Sequence, residues 1–214
     1  MEKYDIVAGV ILCAMRQEQN SLEVVNLCIE HNDVIGFDLA GPEVGFSVLN
    51  HSEACSLAVE NNINVTLHAD WEVAEGIKEV VIDSKAKRVG HGSQIINDIA
   101  FNNGEVTFQN NAAQYVFDNN IALEICPTSN VQCGAYSDVS EHSFGELFNA
   151  GFNVTINTDN RLMSDITMSE EVNNVVESFG LDEKDILGIT KNTIEAGFVK
   201  PELKNKALKK LSLS

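Results

Sequence analysis

The chain has 214 residues, enough to enclose a hydrophobic core, and its apolar and charged fractions of 44% and 21% are those of an ordinary globular protein. Asp and Glu outnumber Lys and Arg 32 to 14, a formal net charge of -18. Such a surface repels phosphate backbones and anionic lipid, which argues against nucleic acid and membrane as partners and for a neutral or weakly charged small molecule.

The first apolar run, Ile6 to Met15, is too short to span a bilayer, and the residues before it (Glu2, Lys3, Asp5) lack the net positive charge of a secretory leader. It reads as a buried strand over Ile6–Cys13. A helical pattern follows over Ser21–His31, without a capping box because Val24 stands three residues after Ser21. The alternation then repeats down the chain. Apolar runs at Val34–Phe37, Val65–Leu67, Arg88–Val89, Ile121–Ile125 and Val154–Ile156 are separated by amphipathic stretches at His51–Asn61, Glu72–Ser84, Ala112–Asp118 and Glu141–Ala150. From about Ser169 a helical tail is expected, with segments Glu183–Thr190, Lys191–Gly197 and Pro201–Leu211, the proline suiting a first helical turn.

Strands apolar on both faces and separated by helices imply a parallel sheet with helices packed outside it, here about six strand–helix units in one domain over 1–214. Five widely spaced cysteines with no CxxC pair, three of them (Cys13, Cys28, Cys126) in apolar segments, read as buried thiols of a reduced, cytoplasmic protein.

Asp38, His68, His91 and Asp159 each fall just after a strand, where both a βα barrel and a doubly wound sheet place their ligands. No GxGxxG or GxxxxGK[ST] stretch is present, which removes the usual nucleotide-phosphate loops. Taken singly, these residues have plainer readings. His68 is a strand-end histidine, the glycines of Gly90-His91-Gly92 also suit a tight turn, and Asp159 also suits a helix N-cap. Taken together, two histidines and two acids at separate strand ends suit a hydrolytic metal site, in which zinc lowers the pKa of a bound water to roughly 7. Cys126 or Cys133 with His142 is a thiol-nucleophile alternative without a supporting motif, and Cys126 is expected to pack beneath the site.

The stretches Val34-Ile-Gly-Phe-Asp-Leu-Ala-Gly-Pro-Glu43, Leu67-His-Ala, Arg88-Val-Gly-His-Gly92, Leu123-Glu-Ile-Cys-Pro-Thr-Ser-Asn130 and Ile156-Asn-Thr-Asp-Asn160 resemble the adenosine deaminase family in wording, order and spacing. Asn130-Val-Gln and Asn160-Arg-Leu-Met-Ser164 resemble its bacterial branch. The resemblance implies a TIM-type (β/α) barrel of the metal-dependent hydrolase kind that converts adenosine or deoxyadenosine to inosine and ammonia with Zn2+. His68 and Asp159 would be metal ligands. His91 would orient and help deprotonate the metal-bound water. Gly41 would offer its backbone amide to the purine, and Asn160 stands where many members have a second aspartate that bonds the ring.

Two departures follow from the same resemblance. Members carry His-Ala-Gly-Glu, whereas His68-Ala69-Asp70-Trp71-Glu72 places the glutamate one residue late. Either the loop bulges so that Glu72 remains the catalytic proton donor, or Asp70 substitutes, or the donor is lost. Misplacement by about 1 Å can cost on the order of a hundredfold in rate, and loss of general acid catalysis roughly 10²–10⁴-fold. The family's first strand also supplies a His-x-His pair of zinc ligands, and this sequence contains no His-x-His. The sequence is therefore expected to begin near the third strand of an incomplete barrel with exposed edges at its bounding strands. Self-association or a complementing N-terminal chain is expected to cover them. The alternative reading is a non-catalytic remnant, or a purine-binding protein without bound metal.

Overall fold

The computed structural model describes residues 8–69, 76–102 and 105–212. Six parallel strands form one continuous order: β1 (Val10–Met15), β2 (Val34–Ala40), β3 (Thr66–Ala69), β4 (Arg88–His91), β7 (Ala122–Ile125) and β8 (Val154–Ile156). A single bridge between Phe37 and Val65 joins β2 to β3. The helices α1 (Ser21–Glu30), α2 (Ser52–Glu60), α3 (Asn111–Asp118), α4 (Pro127–Gln132), α5 (Phe144–Asn149), α6 (Arg161–Ser164), α7 (Met168–Phe179), α8 (Glu183–Ala196) and α9 (Pro201–Leu211) intervene or follow. This is an unclosed (β/α) barrel, as the family resemblance implies; the strand–helix alternation alone predicts the parallel sheet with helices outside it.

On the four strands β2, β3, β4 and β7, one face carries fully buried apolar side chains: Phe37 and Leu39 on β2, Leu67 on β3, Val89 on β4, Leu123 and Ile125 on β7. Burying such side chains beneath the helices is the main favourable term in forming the sheet. The other face differs from the sequence expectation that both faces are apolar. In register across β3, β4 and β7 stand Thr66, Arg88 and Ala122, then His68, Gly90 and Glu124. Glu124 accepts from Thr66 Oγ1 at 2.7 Å and pairs with the Arg88 guanidinium at 2.9 Å. Arg88 in turn lies 3.6 Å from the centre of the Phe198 ring, which closes this end of the sheet from the α8–α9 connection. A buried charge is tolerable only when paired in this way.

Several segments depart from expectation. An antiparallel hairpin, β5 (Ile99–Asn102) with β6 (Glu105–Phe108), was not foreseen. Its signal is the alternation of Ile99, Phe101, Val106 and Phe108 around the Asn103-Gly104 pair. The tail segments Glu183–Thr190 and Lys191–Gly197 form one helix, α8, in which Thr190 and Thr193 hydroxyls bond back to Ile186 and Ile189 carbonyls. Within the stretch Glu72–Ser84, the described part carries a π-helical turn at Glu79–Asp83. Among the cysteines, Cys28, Cys55 and Cys126 are buried, but Cys13 is exposed, because β1 is a bounding strand with no strand on its outer side among the described residues. The two bounding strands also differ. β1 exposes Val10 and Met15, whereas all of β8 is buried, with α5 and α8 packed on it.

Candidate active site

β3 ends at Ala69 and β4 at His91, in register, so their last turns present His68 and His91 side by side, with ring centroids 5.3 Å apart. A Cβ on Gly90 would lie 2.9 Å from the His68 ring, so the glycine is there to admit the imidazole. His68 Nδ1 lies 3.0 Å from Asp38 Oδ1, across from β2. The pair fixes the proton on Nδ1 and leaves Nε2 as the coordinating or donating nitrogen, the usual arrangement of a carboxylate-oriented metal ligand. Burial opposes a charge on His68, but Asp38, followed by Glu124 and Asp159, outweighs it and raises the pKa to about 9.

His91 is buried, and both it and the exposed Asp159 have left-handed backbones, at φ 63° and φ 54°. Left-handed non-glycine residues cost conformational energy and gather at functional sites. Burial first, then the charge of His68, holds the His91 pKa well below its ordinary value, against the pull of Asp159. Asp159 does not cap the following helix; Asn160 does, accepting from the Met163 amide at 3.2 Å. Asp159 is instead oriented by the Ser129 hydroxyl at 2.7 Å. Gly41 stands one residue past β2 at φ 106°, and a Cβ there would meet Gln17 Oε1 at 2.6 Å.

The structure thus brings His68, His91 and Asp159 to one end of the sheet and gives them pairings that the sequence does not show: Asp38 with His68, Ser129 with Asp159, and Asn130 with His91. Arg16 also donates to the carbonyls of Phe46 and His68 and so ties the loop after β2 to the end of β3. Asn130 and Ser129 lie within a quoted motif, but nothing in its wording points to their bonds. Glu72 and Asp70 lie outside the described residues. The thiol alternative finds no footing. Burial and nearby acids push Cys126 well above the thiol range, Cys133 is exposed, and both His142 nitrogens are engaged by Asn130 and the Phe144 amide.

Structural zinc sites take four protein ligands and catalytic ones three plus a water. Among the described residues no group of three ligating side chains is arranged to hold a metal. The two expected ligands, His68 and Asp159, would supply only two donors, so the described residues do not by themselves fit zinc.

The profile described as adenosine deaminase matches residues 2–213. An adenosine deaminase of Mycobacterium ulcerans is 40% identical over 198 residues, 91% of this chain and 54% of that protein. One of Mycobacterium tuberculosis is 38% identical over the same shares. The chain therefore spans about half the length of the curated relatives it matches. Among solved structures, an adenine deaminase from Arthrobacter aurescens superposes with a TM-score of 0.88 at 21% identity, covering 99% of this chain and 62% of that one. An N6-mAMP deaminase from Arabidopsis gives 0.81 at 25% identity, covering 96% and 59%. An amidohydrolase from Burkholderia ambifaria with bound Zn gives 0.84 at 18% identity, covering 99% and 57%. The barrel strands, the motifs at their ends and the match along nearly the whole chain agree: the chain belongs to the adenosine deaminase family.

Proposed function

We propose that residues 1–214 belong to a zinc-dependent hydrolase that converts adenosine or deoxyadenosine to inosine and ammonia. The observation that supports this most is the placement of His68 and His91 on adjacent strand ends with Asp159 acting electrostatically on both. In this reading His68 and Asp159 are two of the zinc ligands, and the remaining donors come from outside these 214 residues, on a complementing N-terminal chain seated against β1. Gly41 offers its backbone amide to the purine. Asn160, whose oxygen is held by the Met163 amide, offers its NH2 to the ring. His91 orients the attacking water, and Glu72 delivers the proton to the ring.

The test measures zinc per chain and inosine formation for the chain alone, then after mixing with a segment bearing a His-x-His strand and two strand–helix units. The expected result is zinc well below one per chain alone, rising toward one with inosine formed after mixing. Full zinc occupancy without the segment would refute the half-site, and no inosine in either sample would refute the deaminase reading. A melting temperature raised by adenosine in metal-stripped chain would favour purine binding without catalysis.

A further inference from the structure

Behind His91 lies a buried chain of hydrogen bonds that ends on a backbone amide. The Phe144 N–H donates to His142 Nδ1 at 2.9 Å. A nitrogen that accepts cannot carry a proton, so His142 is neutral and its proton sits on Nε2. That Nε2 lies 3.2 Å from the side-chain oxygen of Asn130, which must therefore accept. The orientation of the Asn130 amide follows: turned over, its NH2 would face the N–H of His142. With the oxygen committed to His142, the Asn130 NH2 faces His91 Nδ1 at 3.2 Å and donates to it. His91 Nδ1 is then an acceptor, and the proton of the neutral ring is on Nε2, on the edge away from Asn130.

We infer that His142 and Asn130 are positioning residues that lock His91 as its Nε2–H tautomer, so that it offers a hydrogen-bond donor rather than a base. All three side chains are buried, His91 at 7%, Asn130 at 1% and His142 at 3% exposure, so water does not compete for these bonds. Tyr136 covers the His142 ring with centroids 4.1 Å apart, which holds its plane. The backbone amide that starts the chain belongs to the first residue of α5 and cannot reverse its polarity. Each link is thus decided by the one before it, and the decision originates in a helix end remote in sequence from β4. The use of the tautomer rests on the deaminase reading: an Nε2–H donor orients a water or hydroxide at the reacting centre, whereas removing its proton falls to another group. The tautomer itself does not depend on that reading.

The experiment is a long-range ¹H–¹⁵N correlation spectrum of the metal-free full chain at neutral pH, with His91 and His142 assigned by loss of signal in His91→Gln and His142→Gln. Both rings are expected to show a pyridine-type Nδ1 and a pyrrole-type Nε2. In Asn130→Asp, which keeps the shape but removes the donor, His91 is expected to change to Nδ1–H. In His142→Gln, whose amide can still donate to Asn130 and accept from Phe144, His91 is expected to stay Nε2–H. A pyrrole-type Nδ1 on His91 in the parent chain, or an unchanged His91 in a folded Asn130→Asp variant, would overturn the inference. Should Asn130→Asp not fold, the parent spectrum alone decides. Because no turnover is measured, failure to deaminate adenosine tells against the proposed function and leaves the tautomer to be judged on its own spectrum.

Discussion

Gly90 carries no side chain, yet it sets where the His68 ring can lie, since a methyl at that position would stand 2.9 Å from the imidazole. Gly90→Ala should leave the melting temperature within a few degrees and displace His68 from Asp38. In a zinc-reconstituted barrel we expect roughly 10–100-fold weaker metal binding, measured by competition with a chromogenic chelator, as for other disturbed ligand shells. Unchanged affinity would mean the ring has another place to go. Acid–base behaviour also belongs to this scale. Burial lowers His142 to about 3 in the folded chain, so between its ordinary value of 6.5 and about 3 the unfolded chain binds the extra proton. The stability that His142 supports is therefore lost as pH falls through that window. His68, raised to about 9, acts oppositely: its contribution is complete below 6.5 and lost as pH rises toward 9. Thermal melts should show a stability maximum near neutral pH, and His142→Gln should make the acid limb shallower. An acid limb identical to the parent's would assign it to other groups. At this scale the sequence singled out candidate residues but not their partners. Asp38 was visible as a strand-end acid, whereas its bond to His68 spans 30 positions of sequence and needs two strands in register.

Helix ends are set largely by capping, a local interaction. Thr167 and Glu170 form a reciprocal capping box on α7, and Asp182 and Asp185 form one on α8. Gly180 ends α7 in the left-handed conformation that favours glycine. The α1 start has no side-chain cap, in agreement with the missing capping box. Thr167→Ala should cost about 1 kcal/mol in chemical denaturation, whereas Asn20→Ala should change stability by less than about 0.5 kcal/mol. Equal effects would show that the α7 box adds nothing beyond helix propensity. The β5–β6 hairpin escaped because four-residue strands with two exposed ends lack the apolar run that marks the barrel strands. The sequence expectation divides α8 after Thr190, whereas there the hydroxyl bonds the Ile186 carbonyl of the preceding turn and the helix continues.

Across the whole molecule, the six parallel strands leave two bounding strands that differ in exposure, and β1 is the open one. A strand edge with exposed apolar side chains is a template for pairing. If β1 is where the chain self-associates, Val10→Lys should shift sedimentation toward monomer and leave the melting temperature nearly unchanged, because Val10 is already 51% exposed. Association unaffected by the substitution would move the contact elsewhere. None of the described helices is long and apolar enough to cross a membrane.

The parallel strand–helix order and the arrival of His68, His91 and Asp159 at strand ends were determined by sequence alone, because apolar periodicity and strand polarity act over a few residues. Tertiary structure decided what those residues do to one another. It set Thr66, Arg88 and Glu124 on one polar face, joined through contacts up to 58 positions apart. It paired Asp38 with His68, and it ran the hydrogen-bond chain from Phe144 through His142 and Asn130 to His91. Such bonds depend on strand register and on where a helix begins against the sheet. Neither is encoded in any short stretch of residues, since each is fixed only when distant elements pack.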